Sequence, residues 1–253
     1  MLIALDGLFL LLHCNTPAGN YGRIGSNSLV NQLGDMLQAQ GHNPYLIPVG
    51  GSCALGAFGY IECVREIMAF AAAEDLHFDH IVTACGSGGT AAGLALGLRL
   101  AGLTGSPGVS GRTQLHCIGV CDSPQYFYEH IREVATTLGV DLAQHGEMET
   151  WCKIYDGQGI GYARSTVEEL QFLADLSSST GLLLDPVYSG KAFHFMMHKL
   201  LPTEVFRQGQ RVLFLHTGGT LGLYDKETQL LPILKSKRQV GDLLSALNGD
   251  TST

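Results

Sequence analysis

Basic residues are scarce in this sequence, and they form no dense cluster. Its 253 residues include 15 Lys and Arg against 23 Asp and Glu, which gives a formal net charge of −8 at pH 7. Because a nucleic-acid backbone must be neutralised by cations, this composition argues against a nucleic-acid surface and favours a small-molecule partner. Apolar residues make up 45% of the chain, enough for a sizeable core, which argues against disorder of the whole.

Long hydrophobic runs and cysteine pairs are absent as well. The apolar opening segment contains Asp6, lacks a positively charged start and is too short for a membrane span, so we predict a strand over 8–12. The seven cysteines form no CxxC motif, and an extended strand would place Cys117 and Cys121 about 13 Å apart, too far for one metal ion or a disulfide. We expect reduced thiols, no metal site and an intracellular protein, either cytoplasmic or organellar (mitochondrion or plastid).

Strand, glycine turn and helix follow one another three times in the middle of the chain. Such alternation implies right-handed crossovers and a mostly parallel sheet covered by helices, in other words an α/β fold. Buried strands are predicted at 44–51, 80–85, 114–121, 182–185 and 211–217. Helices are predicted at 26–41, 54–73, 90–102, 123–139, 165–177, 190–200 and 240–247, with Ser123 as a helix cap and a glycine-rich loop over 151–163.

The strongest motif is ACGSGGTAAG, at 84–93, where a predicted strand ends and a helix begins. Successive amides without large side chains, two hydroxyls and the helix dipole make such a turn an anion site. The residues that can wrap a phosphate are Gly86, Ser87, Gly88, Gly89 and Thr90. The motif is neither a dinucleotide GxGxxG nor a Walker loop, since no GK[ST] follows, which disfavours free ATP. A glycine-rich turn that serves packing alone is the alternative.

Two tyrosines and a threonine are further candidates near predicted strand ends. Tyr188 follows the strand at 182–185, and ligands of open α/β sheets bind at that edge, where a tyrosine can donate a hydrogen bond or a proton. Tyr162, in GIGYA, has a similar but weaker context, and either tyrosine can instead be an ordinary packing residue. Thr217 offers a neutral hydroxyl, which can bond a heteroaromatic nitrogen without protonating it. His216 is interpreted as a core residue or as one that supports the site without touching the ligand.

Five segments then occur in the order and spacing of one enzyme family: PVGGSCALGAFGYIE, ACGSGGTAAGLALG, GIGYA, LLLDPVYSGKA and FLHTGGTLGLYDK. The chain resembles the D-cysteine desulfhydrases and 1-aminocyclopropane-1-carboxylate (ACC) deaminases, fold-type II pyridoxal-phosphate (PLP) enzymes, and the plant-type desulfhydrases most. The resemblance runs from about residue 21 to 238. It implies the tryptophan synthase β-like fold, a three-layer α/β/α parallel sheet that is incomplete here, with 1–43 a remnant of the smaller cofactor domain and 44–253 the large domain.

The resemblance also implies a lyase and its site residues. The loop 86–90 would hold the phosphate of PLP, Thr217 would bond the pyridine nitrogen, and Tyr162 and Tyr188 would act on the substrate. The implied reaction is the α,β-elimination of D-cysteine to pyruvate, hydrogen sulfide and ammonia, in a homodimer. The deaminases carry Glu at the position of Ser189 and an aliphatic residue at that of Thr217. Both residues therefore favour the desulfhydrase branch, and Ser189 is counted among the candidate catalytic residues.

Three departures from the family pattern qualify this expectation. The chain contains neither the GGNK-type motif that carries the Schiff-base lysine nor a QSN-type segment, and Cys53 replaces the usual Asn after GGS. Of six lysines Lys191 is nearest the expected pocket, but in relatives it stands beside the tyrosine without binding the cofactor. We therefore expect an N-terminally truncated chain that eliminates very slowly by itself, has exposed apolar surface and is poorly soluble. A non-catalytic PLP- or phosphate-binding fragment is the alternative.

Overall fold

The computed structural model describes residues 2–5, 8–11, 23–104 and 112–237. Its strands are β1 (Leu2–Leu5), β2 (Leu8–Leu11), β3 (Tyr45–Leu46), β4 (His80–Cys85), β5 (Gln114–Gly119), β6 (Lys153–Asp156) and β7 (Val212–Leu215). Its α-helices are α1 (Arg23–Ala39), α2 (Ala54–Ala73), α3 (Gly89–Leu100), α4 (Pro124–Thr137), α5 (Leu142–His145), α6 (Val167–Thr180), α7 (Ser189–Phe195) and α8 (Glu227–Lys237). The helix predicted at 240–247 lies outside the described residues.

The chain divides into two compact units. The first unit comprises Met1–Leu76, Ser87–Thr104 and Tyr128–Trp151. The second unit comprises His77–Gly86, Gly105–Phe127 and Cys152–Thr253. The division of the chain at residue 43, expected from the family resemblance, stays a prediction.

The second unit contains the parallel sheet. Its strands run in the order β6-β5-β4-β7 and every neighbouring pair is parallel, as the alternating pattern predicted. All six residues of the central strand β4 are buried, which suits a strand with neighbours on both sides. Helix α7 packs against β4 and β5, and Ala192 joins Val82 and Ile118 in one apolar cluster. Strand β7 is half-buried rather than buried as predicted, because it is the edge strand of this described sheet.

The first unit contains a small antiparallel sheet and a close helix pair. Strand β3 pairs antiparallel with β1, and its Tyr45 is 58% exposed, so the prediction of a buried strand over 44–51 is wrong. Helices α2 and α3 approach closely because Gly93 has no side chain; a Cβ there would lie 2.6 Å from the Ala57 carbonyl oxygen. The other side of α2 leaves Leu55 and Phe58 exposed.

The strand predicted over 182–185 is also wrong. Leu184 and Asp185 are buried, but Leu183 is exposed and the segment belongs to no strand. The Leu183 carbonyl lies 3.2 Å from His216 Nε2, so a side chain takes the place that a strand partner would fill. His216 is itself exposed, so its interpretation as a core residue is wrong, and a supporting role near the site stays a prediction.

A chain of hydrogen bonds, buried between His80 and His116 and partly exposed at its ends, crosses the parallel sheet in the second unit. The oxygen Oε1 of Gln210 accepts from the Arg207 N–H at 2.8 Å and lies 3.0 Å from His80 Nε2, which must therefore donate. His80 Nδ1 then accepts from His116 Nε2 at 3.0 Å. His116 Nδ1 in turn accepts from the Tyr155 hydroxyl at 3.0 Å, so the contacts are satisfied when both imidazoles are neutral.

The stability of the fold should fall in mild acid because of this hydrogen-bond network. Burial, followed by the nearby His80, lowers the pKa of His116 from 6.5 to about 3. Between these two values the unfolded chain binds one proton more than the folded chain. The free energy of unfolding is therefore expected to decrease as the pH falls below about 6.5, by up to about 1.4 kcal/mol per pH unit for this site.

Urea unfolding between pH 4 and 7 measures this slope. His116→Gln keeps a donor and an acceptor but removes the titrating ring, and should flatten the slope in that window. His42→Gln, at an exposed position, is the matched control and should leave it unchanged. An equal slope in His116→Gln and in the unaltered chain would show that the acid sensitivity lies elsewhere.

Candidate active site

The carboxyl edge of the parallel sheet brings several candidates of the second unit together. Gly86 directly follows β4, and Thr217 stands two residues after the neighbouring parallel strand β7. Cys121, beyond the end of β5, donates its thiol hydrogen to the Gly86 carbonyl at 3.0 Å. Burial and the adjacent Asp122 raise the pKa of Cys121 to about 11, so that the thiol keeps its proton at neutral pH. Ligands of open parallel sheets bind at this edge.

A single carboxylate shapes the turn that carries Tyr188. Asp185 is 1% exposed, and its oxygens accept from the backbone N–H groups of three residues at 2.7–2.8 Å. These residues are Val187, Tyr188 and Ser189. The Ser189 hydroxyl donates to Asp185 Oδ1 at 2.6 Å and accepts from the Asp185 N–H at 3.1 Å, which closes the turn at the start of α7. Sequence reasoning passed over Asp185, although an acid just before a helix start is a capping signal.

The two candidate tyrosines contact each other. Their hydroxyl oxygens lie 2.5 Å apart, a hydrogen bond in which either can donate. The Tyr188 ring covers Gly86 so closely that a Cβ there would lie 2.6 Å from Tyr188 Cε1. Burial, reinforced by the Tyr162 hydroxyl, raises the pKa of Tyr188 above its ordinary value of 10. Tyr188 therefore stays protonated at neutral pH, whereas Tyr162 is 44% exposed and faces solvent.

The loop that carries Tyr162 is tied to the rest of the second unit at three points. Lys191, 2% exposed, donates to the Gln158 carbonyl at 2.8 Å and lies 3.3 Å from a Glu169 carboxylate oxygen. Ser165 donates to the Pro186 carbonyl at 3.1 Å, and Lys226 donates to the Ala163 carbonyl at 2.5 Å. The Lys191 amine thus contacts both a carbonyl and a carboxylate.

The remaining second-unit candidates differ in accessibility. Thr217 is exposed, and its side chain hydrogen-bonds no other residue of the described ranges, so its hydroxyl is open to a ligand. Ser189 is buried, and both its donor and its acceptor capacity are used at Asp185. Its contacts fit a residue that positions the Tyr188 turn better than one that touches substrate.

The glycine turn continues into the first unit with Ser87–Thr90. Gly88, at φ 95°, is the N-cap of α3, and the first-turn N–H groups of a helix have no partner within it. The Ser87 and Thr90 side chains are half-buried and make no hydrogen bond to other described residues. Three amides, two hydroxyls and a helix dipole form a donor set that fits a phosphate.

Neither a metal-binding cluster nor a membrane-spanning helix is found in the described part of the chain. Between residues 23 and 237, leaving out 105–111, no three His, Cys, Asp or Glu side chains gather as a metal site would require. Among the helices of the described ranges, none combines the length and the apolarity needed to cross a bilayer.

Comparisons with known proteins match this architecture. Residues 25–218 fit the family model described as pyridoxal-phosphate dependent enzyme. The chain is 42% identical over 216 residues to the mitochondrial bifunctional D-cysteine desulfhydrase/1-aminocyclopropane-1-carboxylate deaminase of Arabidopsis thaliana, covering 85% of this chain and 51% of that protein. It is 36% identical over 210 residues to the D-cysteine desulfhydrase of Yersinia enterocolitica, covering 81% of this chain and 59% of that protein.

A solved structure extends the likeness to three dimensions. The crystal structure of an ACC deaminase homologue superposes with a TM-score of 0.67 at 32% identity, covering 82% of this chain and 59% of that one. The chain thus spans between half and three-fifths of the length of these relatives. The predicted family and its fold-type II α/β class are confirmed. This chain belongs to the family of pyridoxal-phosphate dependent enzymes that includes the D-cysteine desulfhydrases and ACC deaminases.

Proposed function

We propose that this chain carries the cofactor-phosphate and substrate-facing parts of a PLP-dependent lyase that eliminates sulfide from D-cysteine, giving pyruvate, hydrogen sulfide and ammonia. One observation carries the proposal: Gly86, the tyrosine pair and Thr217 belong to the carboxyl edge of one parallel sheet. This edge is where open α/β sheets bind ligands. The relatives named as D-cysteine desulfhydrases supply the substrate class.

The cofactor contacts are divided between the glycine turn and Thr217. We assign the phosphate to Gly86, Ser87, Gly88, Gly89 and Thr90. The open Thr217 hydroxyl is assigned to the pyridine nitrogen, where a neutral donor leaves that nitrogen unprotonated and a carboxylate would protonate it. PLP, when bound, supplies an electron sink for the substrate.

The tyrosine pair is assigned to proton handling at the substrate. One of the two hydroxyls donates to the other, so the pair keeps one proton to offer. The pair can therefore orient a substrate carboxylate or protonate a leaving group. Asp185 and Ser189 contribute by fixing the backbone from which Tyr188 projects.

Two residues favour D-cysteine over ACC. The resemblance places Glu, in the deaminases, where this chain has Ser189, and Ser189 is buried against Asp185 with no charge to offer a substrate. Thr217 stands where the deaminases carry an aliphatic residue. ACC deamination remains the alternative, because the Arabidopsis relative is named for both activities.

No lysine of this chain is assigned the Schiff-base role. The buried Lys191 amine is held by Gln158 and Glu169, and the sequence contains no GGNK-type motif. We propose that the isolated chain holds PLP through phosphate and ring contacts alone. Elimination by the isolated chain should then be very slow.

Titration of the purified chain with PLP tests the proposal. Absorbance should report saturable binding, borohydride should trap no PLP on a lysine, and Thr217→Val should weaken binding about tenfold, the loss of one good hydrogen bond. Thr228→Val, at an exposed position on α8, is the matched control and should bind PLP normally. Stoichiometric trapping on one lysine of the chain would contradict the assignment.

An assay of sulfide release then distinguishes a catalytic site from a site that only binds PLP. D-cysteine and ACC are each supplied to the PLP-loaded chain, with sulfide measured for the first and ammonia for the second. Slow sulfide release above that of free PLP supports a desulfhydrase site. Ammonia from ACC alone would favour the deaminase, and PLP binding with neither product would favour a non-catalytic binding fragment.

We also propose, from the family resemblance, the division into 1–43 and 44–253 and assembly as a homodimer. Limited proteolysis should then cut near residue 43 before it cuts within 44–253. Sedimentation equilibrium should give about twice the 27.1 kDa mass of the chain. A monomer over the micromolar range, or first cleavage well inside 44–253, would contradict these proposals.

A further inference from the structure

A serine and a histidine lie directly against the glycine turn in the first unit. Ser52, 2% exposed, donates its hydroxyl hydrogen to the Ser87 carbonyl at 2.9 Å. The same hydroxyl oxygen lies 2.7 Å from Nε2 of the buried His130. These two side chains come from segments 78 residues apart in the sequence and meet at the turn assigned to the cofactor phosphate.

The directions of these hydrogen bonds follow from chemistry. A carbonyl oxygen only accepts, so Ser52 is the donor in its contact with Ser87, and the donor in the Ser52–His130 contact depends on the histidine tautomer. His130 Nδ1 faces a Glu133 carboxylate oxygen at 3.4 Å, on the side of the ring away from Ser52. The result is a continuous hydrogen-bonded chain from the histidine through the serine to the backbone of the turn.

The glycines of the turn pack on the same two side chains. A Cβ on Gly88 would lie 2.5 Å from His130 Cδ2, and a Cβ on Gly89 would lie 3.0 Å from Ser52 Cα. Gly88 holds φ at 95°, a left-handed conformation that a residue with a side chain rarely adopts. Because the Ser87 carbonyl is held inward by Ser52, the peptide that joins Ser87 to Gly88 cannot rotate freely.

We propose that Ser52 and His130 are positioning residues that preorganise the Ser87–Thr90 turn for a phosphate monoester. A peptide held by its carbonyl has its N–H, here that of Gly88, fixed on the opposite side of the peptide plane. Preorganised donors bind a ligand more tightly because less ordering is left to be done on binding. The inference deepens the proposed function and rests on the assignment of the phosphate to this turn.

A hydrolytic role for the Ser52, His130 and Glu133 set does not fit the same geometry. A nucleophilic serine must expose its oxygen to substrate and pass its proton to the histidine. Ser52 is 2% exposed, and its proton points at the Ser87 carbonyl. The set therefore supports the turn and does not attack a substrate.

Binding of pyridoxine 5′-phosphate and of pyridoxine tests the inference. Neither ligand has an aldehyde, so neither can form an imine with a lysine. The ratio of the two dissociation constants therefore measures how much the phosphate group contributes to binding. Ser52→Ala and His130→Leu should each weaken pyridoxine 5′-phosphate binding about tenfold while pyridoxine binding changes less than twofold. His130→Gln, whose amide can still donate to Ser52, should recover most of the loss.

Control variants distinguish a failure of the positioning inference from a failure of the proposed function. Ser178→Ala removes a hydroxyl that donates to a backbone carbonyl at 2.7 Å in α6, and it should leave both ligands unaffected. If Gly88→Ala abolishes the preference for the phosphate form but Ser52→Ala and His130→Leu keep it, the positioning inference is overturned and the phosphate assignment stands. If the unaltered chain binds both ligands equally, the proposed function itself fails. Should Ser52→Ala fold poorly, the His130→Leu and His130→Gln pair makes the same comparison.

Discussion

Replacing Asp185 by Ala is expected to lower the free energy of unfolding by about 3–5 kcal/mol, the largest effect of any single carboxylate in the described structure. The change leaves three backbone N–H groups and the Ser189 hydroxyl without their acceptor in a buried turn. Each unsatisfied buried donor costs about 1–3 kcal/mol, and hydrogen bonds to a charged acceptor are stronger than neutral ones. Urea unfolding measures the loss.

Asp141→Ala is the matched control for this prediction. Asp141 also caps a helix and accepts from the Ala143 N–H at 3.1 Å, but that site is exposed. Loss of an exposed cap costs about 1 kcal/mol. Equal losses in the two variants would mean that the Asp185 turn contributes no more than an ordinary cap, and that Tyr188 is positioned by other contacts.

Replacing Lys191 by Met is expected to cost about 3–5 kcal/mol. The side-chain exposures of Lys191 and Glu169 are 1% and 12%, so the variant leaves a carboxylate in a largely dry site without its cation. Removing one partner of a buried ion pair is far more costly than removing an exposed charge. The same change releases the Gln158 carbonyl, which should also loosen the loop that carries Tyr162.

A double variant separates the contribution of the Lys191–Glu169 ion pair from the other causes of the lost stability. Lys191→Met with Glu169→Gln removes both charges, and it should be more stable than Lys191→Met alone, because the uncompensated carboxylate is gone. Lys199→Met, at an exposed lysine, should change the free energy of unfolding by less than about 0.5 kcal/mol. Additive effects of the two single substitutions would contradict a coupled ion pair.

Local patterns in the sequence predicted most of the helices and the parallel sheet. Helix α2 has the predicted bounds, 54–73, since an apolar run without proline and with Gly only near its start carries its own signal. Ser123 caps α4 as predicted, with its hydroxyl accepting from the Tyr126 N–H at 3.3 Å. The strand–glycine–helix order at 80–100 predicted the turn at the carboxyl end of β4.

Contacts between distant segments account for what the sequence could not show. An apolar run predicted a strand over 182–185, but whether an extended segment becomes a strand depends on a partner far away in the chain, and here His216 takes that place. Likewise, nothing near Ser52 in the sequence points to His130, and the Lys191–Glu169 pair spans 22 residues. The glycine-rich context of Tyr162 was only a weak signal, because a tyrosine in such a loop has many ordinary explanations, and the family resemblance implied its role at the substrate.

Amide hydrogen exchange with and without PLP tests the central claim most directly. If the turn grips the cofactor phosphate and Thr217 meets its ring, exchange should slow at 86–90 and around 217, with little change along the exposed helix α8. Protection confined to other segments, with 86–90 exchanging at the ligand-free rate in saturating PLP, would contradict the account.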